Sequence, residues 1–288
     1  MNGDVAGVTR TGMQIFDDGD HDDMKALAEL RSDCQVTFFD QITAQRATLM
    51  SLRPLVDSEL LAEPTRWVYY PWRQAVAHIL GPRAFQRVRL DRNRDIITLE
   101  EQVSLRARRI GVVGLSVGHV IAHTLAAEGL CGQIRLADFD SIDLSNLNRV
   151  PASVVDLGVN KAMVAARRIV ELDPYLDVQI FAGGITADTV HTFLDGLDVV
   201  VEECDSLDVK FMVREAARLR RIPVLMATSD RGLTDIERFD LEPERPLMHG
   251  LLGDLDVAQM SSLTNKEKIP HALRMFDAPS LSERLLAS

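Results

Sequence analysis

The chain holds only three cysteines in 288 residues, Cys34, Cys131 and Cys204, far apart and odd in number. That spacing excludes a disulfide framework and points to a reducing, cytoplasmic compartment. No C-x-x-C pair occurs, so the ligand spacing of a structural zinc site is missing and no zinc is expected. Positive charge is in deficit: 32 Lys and Arg against 43 Asp and Glu give a net charge of −11. An acidic balance of that size argues against a nucleic-acid partner. No apolar run is long enough to cross a bilayer and no signal peptide is recognisable, so no membrane association is expected. Tryptophan and tyrosine are scarce, and both Trp and two of the three Tyr fall in Arg66-Trp67-Val68-Tyr69-Tyr70-Pro71-Trp72. This segment reads as an aromatic anchor between two parts of the chain.

What is present is a pattern. From Arg109 to Asp240, apolar strand candidates at 109–114, 133–138, 177–182, 197–202 and 222–227 alternate with helix candidates at 117–129, 158–172, 186–195 and 206–220. Continuous apolar strands separated by helices imply a parallel sheet covered on both faces. Right-handed crossovers then give an α/β, doubly wound, Rossmann-like fold. Ahead of it, residues 1–24 read as a disordered acidic tail, dense in Asp17-Asp18-Gly19-Asp20-His21-Asp22-Asp23. Residues 25–100 read as a helical extension, and 101–288 as the nucleotide-binding domain with a C-terminal extension. The last residues, Ser280–Ser288, look helical and lack a cap, which leaves open whether the natural chain runs further.

The informative stretch is Arg109–Arg149. An apolar strand leads into Gly114-Leu115-Ser116-Val117-Gly118, then a helix to Gly129, then a second strand ending at Asp138-Phe139-Asp140. Three readings fit the turn. A dinucleotide site fits in order, since Asp138 lies twenty residues past Gly118, yet G-x-G-x-x-G is not matched. A hydrolase fits the literal G-x-S-x-G, with Ser116 as nucleophile and His191, His249 or His271 as base. That reading leaves the polar cluster after the second strand unexplained. The third reading is an adenylating enzyme.

Five motifs in order carry that third reading: Arg92-Asn93-Arg94-Asp95, the glycine turn, Asp138-Phe139-Asp140 with Ser145-Asn146-Leu147-Asn148-Arg149, Gly158-Val159-Asn160-Lys161, and Cys204-Asp205-Ser206. In these the chain resembles the ThiF/MoeB group, relatives of the ubiquitin-activating enzymes. It departs from them in a turn one residue shorter and in lacking the C-x-x-C pairs and any cysteine after Cys204. The resemblance implies ATP-dependent adenylation of a carboxylate. It implies ATP held by Gly114, Ser116, Gly118, Asp138, Asp140, Asn146, Arg149 and Lys161, with Asp138 on the ribose. It implies Mg²⁺ on Asp205, and catalysis by Arg94, Arg149, Lys161 and Asp205. It further implies a homodimer in which Arg94 acts in trans, and an acceptor that is a small carrier protein or a peptide. Arg89 and Arg92 lie close enough to compete with Arg94 for that role. Cys204 reads as a small buried residue, not a nucleophile. An NAD site needs the turn and Asp138 but not Arg149, Lys161 and Asp205 together.

Overall fold

The computed structural model describes residues 7–227, 234–253, 255 and 257–275. An N-terminal lobe comes first. It contains β1 (Gln14–Asp17), α1 (His21–Ser32), β2 (Thr37–Asp40), α2 (Ile42–Ser51), α3 (Ser58–Leu61), β3 (Arg66–Tyr70), β4 (Ala75–Ile79) and α4 (Pro82–Arg89). The four strands form one sheet in the order β1-β3-β4-β2. Helices are present as expected, but the sheet was not foreseen, because its strands are only four or five residues long. The aromatic segment is its strand β3.

The acidic run also corrects an expectation. Gln14–Asp17 and His21–Ser32 are a strand and a helix, not a disordered tail; residues 1–6 lie outside the described residues. The Asp20 carboxylate caps α1 by accepting the N–H groups of Asp22 and Asp23. Asp23 Oδ2 accepts the Asp17 N–H at 2.8 Å. Carboxylates at a helix N-terminus meet unpaired N–H groups and the positive end of the dipole, so the local run of acids is used rather than solvated.

A 3₁₀ turn at Asp91–Asp95 and α5 (Leu99–Arg106) lead into the second unit. There follow β5 (Arg109–Val113), α6 (Gly118–Ala127), β6 (Gln133–Ala137), α7 (Lys161–Leu172), β7 (Asp177–Phe181), α8 (Val190–Leu194), β8 (Val199–Glu202), α9 (Leu207–Leu219), β9 (Val224–Ala227) and β10 (Thr234–Glu237). The sheet order is β10-β9-β8-β5-β6-β7, parallel except for the β9–β10 pair. This is a doubly wound sheet, with the switch point between β5 and β8, where such folds bind ligands. The antiparallel edge was not anticipated, and α8 is shorter than the 186–195 expected. One core lies between the sheet and α6 and α7, the other between the sheet and α8 and α9. Two short helices, α10 (Val257–Ser262) and α11 (Asn265–Met275), follow; the helix expected at Ser280–Ser288 lies outside the described residues.

The aromatic anchor holds the two units together. Tyr70 donates its hydroxyl to the Val170 carbonyl at 3.2 Å, and Trp72 donates its ring N–H to Glu171. Arg73 adds an ion pair to Glu171 at 2.8 Å, and Tyr175 donates to the Leu80 carbonyl at 2.6 Å.

Candidate functional site

At the C-terminal ends of β5, β6 and β8 lies a cavity of about 250 Å³. Gly114 and Ser116 form one wall, Asp138, Phe139 and Asp140 the second, and Glu203, Cys204 and Asp205 the third. The turn can come this close to β8 only through Gly114. Its φ is +83°, and a Cβ there would stand 2.6 Å from the Cys204 nitrogen. Gly118 opens α6, where a Cβ would meet Val112 Cγ1 at 2.7 Å. Its N–H donates to the Gly114 carbonyl at 3.1 Å, so Gly118 serves the packing of α6 onto β5.

Asp138 is buried at the tip of β6. Its Oδ2 accepts the Leu115 N–H at 2.6 Å and its Oδ1 accepts the Asp140 N–H at 2.8 Å. It therefore braces the turn as well as facing the cavity. Burial raises its pKa above the ordinary carboxylate range, against the pull of those two N–H groups.

Lys161 is the first residue of α7 and is buried. Its Nζ donates to Ser116 Oγ at 3.1 Å and to Asp140 Oδ2 at 2.9 Å, both on the cavity wall. Asn160 fixes its approach. The Asn160 Oδ1 caps α7 by accepting the Met163 N–H, and its Nδ2 donates to the carbonyls of Asp138 and Ala182. Glycine, asparagine and lysine in sequence at a helix start were the signal for this arrangement, but only Lys161 was singled out from it.

Behind the third wall sits a buried charge network. Glu202 pairs with Lys210 at 3.0 Å and with Arg214 at 2.6 Å, and Arg214 also pairs with Glu237. Burial alone pushes the Glu202 carboxyl up; Lys210 and Arg214 outweigh it and hold it below the ordinary value. With both cations engaged there, the neighbouring Glu203 forms no ion pair among the described residues. Its Oε1 accepts the Ala227 N–H at 2.7 Å, and burial pushes its pKa up to about 7. The sequence showed two adjacent acids and gave no sign that they part so far. The Cys204 thiol donates to Glu202 at 2.8 Å and is pushed up by burial, which keeps it protonated and unreactive.

The other expected residues differ in placement. Asp205 is exposed at the cavity mouth, with no hydrogen bond or ion pair among the described residues. Asn146 is buried outside the lining, its Oδ1 accepting the Asp143 N–H at 3.0 Å in a local turn. Arg149 is exposed, and its guanidinium donates to the Ser145 carbonyl at 3.1 Å and Asn148 Oδ1 at 2.9 Å. Arg94 lies in the 3₁₀ turn, bonded to the Arg53 carbonyl and near Asp91. Its neighbour Asn93 donates to the carbonyl and carboxylate of Glu128, past the C-terminal end of α6. The cavity is at the other end of that ten-residue helix, about 15 Å away at 1.5 Å per residue.

Two of the three histidines offered to a hydrolase are engaged away from Ser116. His191 lines a different cavity, and His249 is held by Asp235 and Arg245. Among the described residues no histidine bonds Ser116, whose oxygen accepts a hydrogen bond from an ammonium instead. No group of three or more His, Cys, Asp or Glu suited to a metal occurs among the described residues. No described helix is long and apolar enough to cross a membrane.

Comparison with known proteins gives a match to the ThiF family over residues 90–269. An uncharacterized protein of Mycobacterium tuberculosis is 59% identical over 96% of this chain and 39% of its own length. A tRNA threonylcarbamoyladenosine dehydratase of Bacillus subtilis is 30% identical over 52% of this chain and 60% of its own length. A sulfur carrier protein adenylyltransferase of Thermus thermophilus is 28% identical over 54% of this chain and 56% of its own length. The chain thus spans between two fifths and three fifths of these relatives. Among solved structures, the E. coli tRNA N6-threonylcarbamoyladenosine dehydratase in complex with ATP aligns with a TM-score of 0.48 at 28% identity, over 50% of this chain and 60% of that one.

Proposed function

Because the chain belongs to the ThiF family, we propose that it joins a carboxylate to the AMP part of ATP. A carboxylate oxygen attacks the α-phosphorus, the bond from that phosphorus to the bridging oxygen breaks, and pyrophosphate leaves with the electron pair. The obstacle is electrostatic, since one anion must approach another. The protein has to offset charge and hold both reactants in line. The observation that carries the reading is the buried ammonium of Lys161, reaching the wall of a strand–turn–helix cavity through Ser116.

In this reading the phosphates take the place of Asp140 on Lys161. Asp138 accepts the ribose hydroxyls with the lone pairs its two N–H bonds leave over. Asp205 fits a magnesium ligand, being a carboxylate on the cavity lining that is unpaired among the described residues. A magnesium ion held there would supply charge neutralisation for the phosphates. The acceptor is the C-terminus of a ubiquitin-like carrier or a peptide carboxylate. The relatives' names offer a carrier protein and a tRNA nucleoside; the net charge of −11 favours the protein.

A homodimer completes the reading, with Arg94 on the partner's phosphates. Support comes from the position of Arg94 at the far end of α6 from its own cavity. It also comes from α5, which buries no residue. Leu99 and Val103, one turn apart on α5, are 51% and 73% exposed, and Ile96, just ahead of the helix, is 85% exposed. An apolar stripe beside the arginine suits a second copy of the chain.

Calorimetric titration with Mg-ATP and with NAD tests the reading. Saturable Mg-ATP binding is expected, with NAD much weaker, and Asp205→Asn is expected to remove the magnesium dependence without unfolding the protein. Tight NAD binding with no ATP binding overturns the proposal in favour of a dinucleotide site. Unchanged magnesium dependence in Asp205→Asn removes the metal role.

A further inference from the structure

A second cavity, of about 400 Å³, lies on the α8 face of β6 and β7 and is separate from the nucleotide site. Its walls include Val8, Arg135, Gln179, Phe181, His191 and Asp195. Strand pleating explains its polarity. Successive side chains alternate between faces, so the face that carries Ala137 and Phe181 into the core also carries Arg135 and Gln179, and Gln133 and Asp177. The register pairs Arg135 with Gln179 and Gln133 with Asp177. On this face of β6 and β7, four of the six side chains are therefore polar.

The element above is too short to cover it. Helix α8 has 5 residues, against 10, 12 and 13 in α6, α7 and α9. At 1.5 Å per residue it spans about 7.5 Å, less than half of a five-residue strand at roughly 17 Å. The uncovered part is the cavity.

Arg135 sits in its wall, 9% exposed. Its Nη1 donates to the carbonyls of Thr192 at 3.0 Å, Phe193 at 2.7 Å and Asp195 at 2.8 Å. Its Nε is buried without a partner, and no carboxylate among the described residues forms an ion pair with it. Asp177, the acid on the same sheet face, is already taken by Arg10, Gln133 and Gln179. Burial pulls the guanidinium below the ordinary arginine range. A buried cation with no paired anion is costly; Asp195, which also lines the cavity, acts on Arg135 through space without forming an ion pair with it among the described residues. Here the guanidinium faces a space large enough for a small ligand, lined also by the Gln179 amide, the His191 imidazole and Asp195. A guanidinium fork matches the oxygens of a carboxylate or phosphate.

We infer that this cavity is a binding site for a small oxyanion of the carboxylate or phosphate class, with Arg135 as its charge partner. The site is independent of the adenylation reading, since none of its residues lines the nucleotide cavity. NMR titration of the whole chain tests it, with inorganic phosphate in one arm and succinate in the other. Saturable shifts are expected at the Arg135 Nε–H, the Gln179 amide and the His191 ring, and not only at Gly114–Gly118. A stronger response to phosphate or to succinate assigns the class, and either supports the site. Arg135→Met is expected to weaken binding at least tenfold. Because Arg135 also holds the end of α8, Gln179→Glu is the second variant. It places a competing carboxylate on the wall, leaves the carbonyl bonds in place, and is also expected to weaken binding at least tenfold. No saturable shift at these residues up to tens of millimolar anion overturns the inference. So does binding that is unchanged in Gln179→Glu.

Discussion

Lys161 and Ser116 meet across 3.1 Å, and the direction of that bond decides what the serine does. An ammonium donating to Oγ lowers the electron density a nucleophile needs, and no base bonds the hydroxyl among the described residues. Ser116→Ala is therefore expected to leave ATP affinity within a factor of about five, because a neutral hydroxyl contact contributes roughly 0.5–1 kcal/mol. The wild type is expected to resist fluorophosphonate labelling, and stoichiometric labelling at Ser116 restores the hydrolase. Lys161→Ala removes a charged contact of about 2–3 kcal/mol, so a loss of ATP affinity of thirtyfold or more is expected by calorimetry. His119 sets a different prediction. It is fully buried in α6, with both ring nitrogens unpartnered, beside His123, Arg168 and Asp156. Burial lowers its pKa from 6.5 to about 4. The unfolded chain then binds more protons between those values, so stability is present above the unfolded pKa and is lost as pH falls toward the folded one. Linkage puts the loss between pH 7 and pH 5 at about 2 kcal/mol. Urea unfolding at the two pH values should show it, with that share absent in His119→Leu; an equal drop in the variant assigns the loss to other groups.

At the scale of the element, the strand–turn–helix from β5 to α6 works because one residue has no side chain. Gly114 holds φ at +83°, and a Cβ would meet the backbone of Glu203 and Cys204 at 2.6–2.8 Å. Backbone cannot swing aside as the end of a flexible side chain can. Gly114→Ala is expected to cost about 2–3 kcal/mol in urea unfolding and to weaken nucleotide binding by displacing the third wall. A change below about 0.5 kcal/mol, within the range of ordinary surface substitutions, shows that the turn tolerates a shift of β8. The alternation of strand and helix was legible in the chain, because apolar runs and caps are local signals. The length of α8 was not. Thr186 and Thr189 bond each other in the lead-in to α8, so the helix begins only at Val190.

Across the whole molecule, the N-terminal lobe grips the C-terminal end of α7 through Tyr70, Trp72 and Arg73, while the start of α7 carries Lys161. Arg94, between the lobe and β5, sits about 15 Å from its own cavity by the length of α6. If it serves a partner, the two sites of a two-fold dimer exchange arginines reciprocally. Arg94→Ala and Lys161→Ala are each expected to be inactive alone and to regain part of the activity when mixed. One site of the mixed dimer then carries both defects and the other neither. Failure to complement, with subunit exchange shown by sedimentation of differently labelled chains, removes Arg94 from the partner's site.

The sequence by itself determined the doubly wound unit, the glycine turn, Asp138 at the tip of the second strand and Lys161 at the start of a helix. Each is written in contiguous residues: apolar runs, a small-residue turn, an acid after a strand, a cap before a lysine. The N-terminal sheet escaped because four-residue strands acquire a periodicity only when paired, and the acidic run because its carboxylates find N–H groups only once α1 forms. Tertiary structure alone decided which cations face the cavity. Lys161 is directed to it by Asn160, which is tied to carbonyls on two other segments, while Arg149 is drawn outward by Ser145 and Asn148. It also decided the contrast between Glu202 and Glu203. Two adjacent acids differ because Lys210 and Arg214, on another element, reach one and leave the other buried with a backbone N–H. Burial and charge pairing depend on what folds alongside a residue, and that information is not local to the chain.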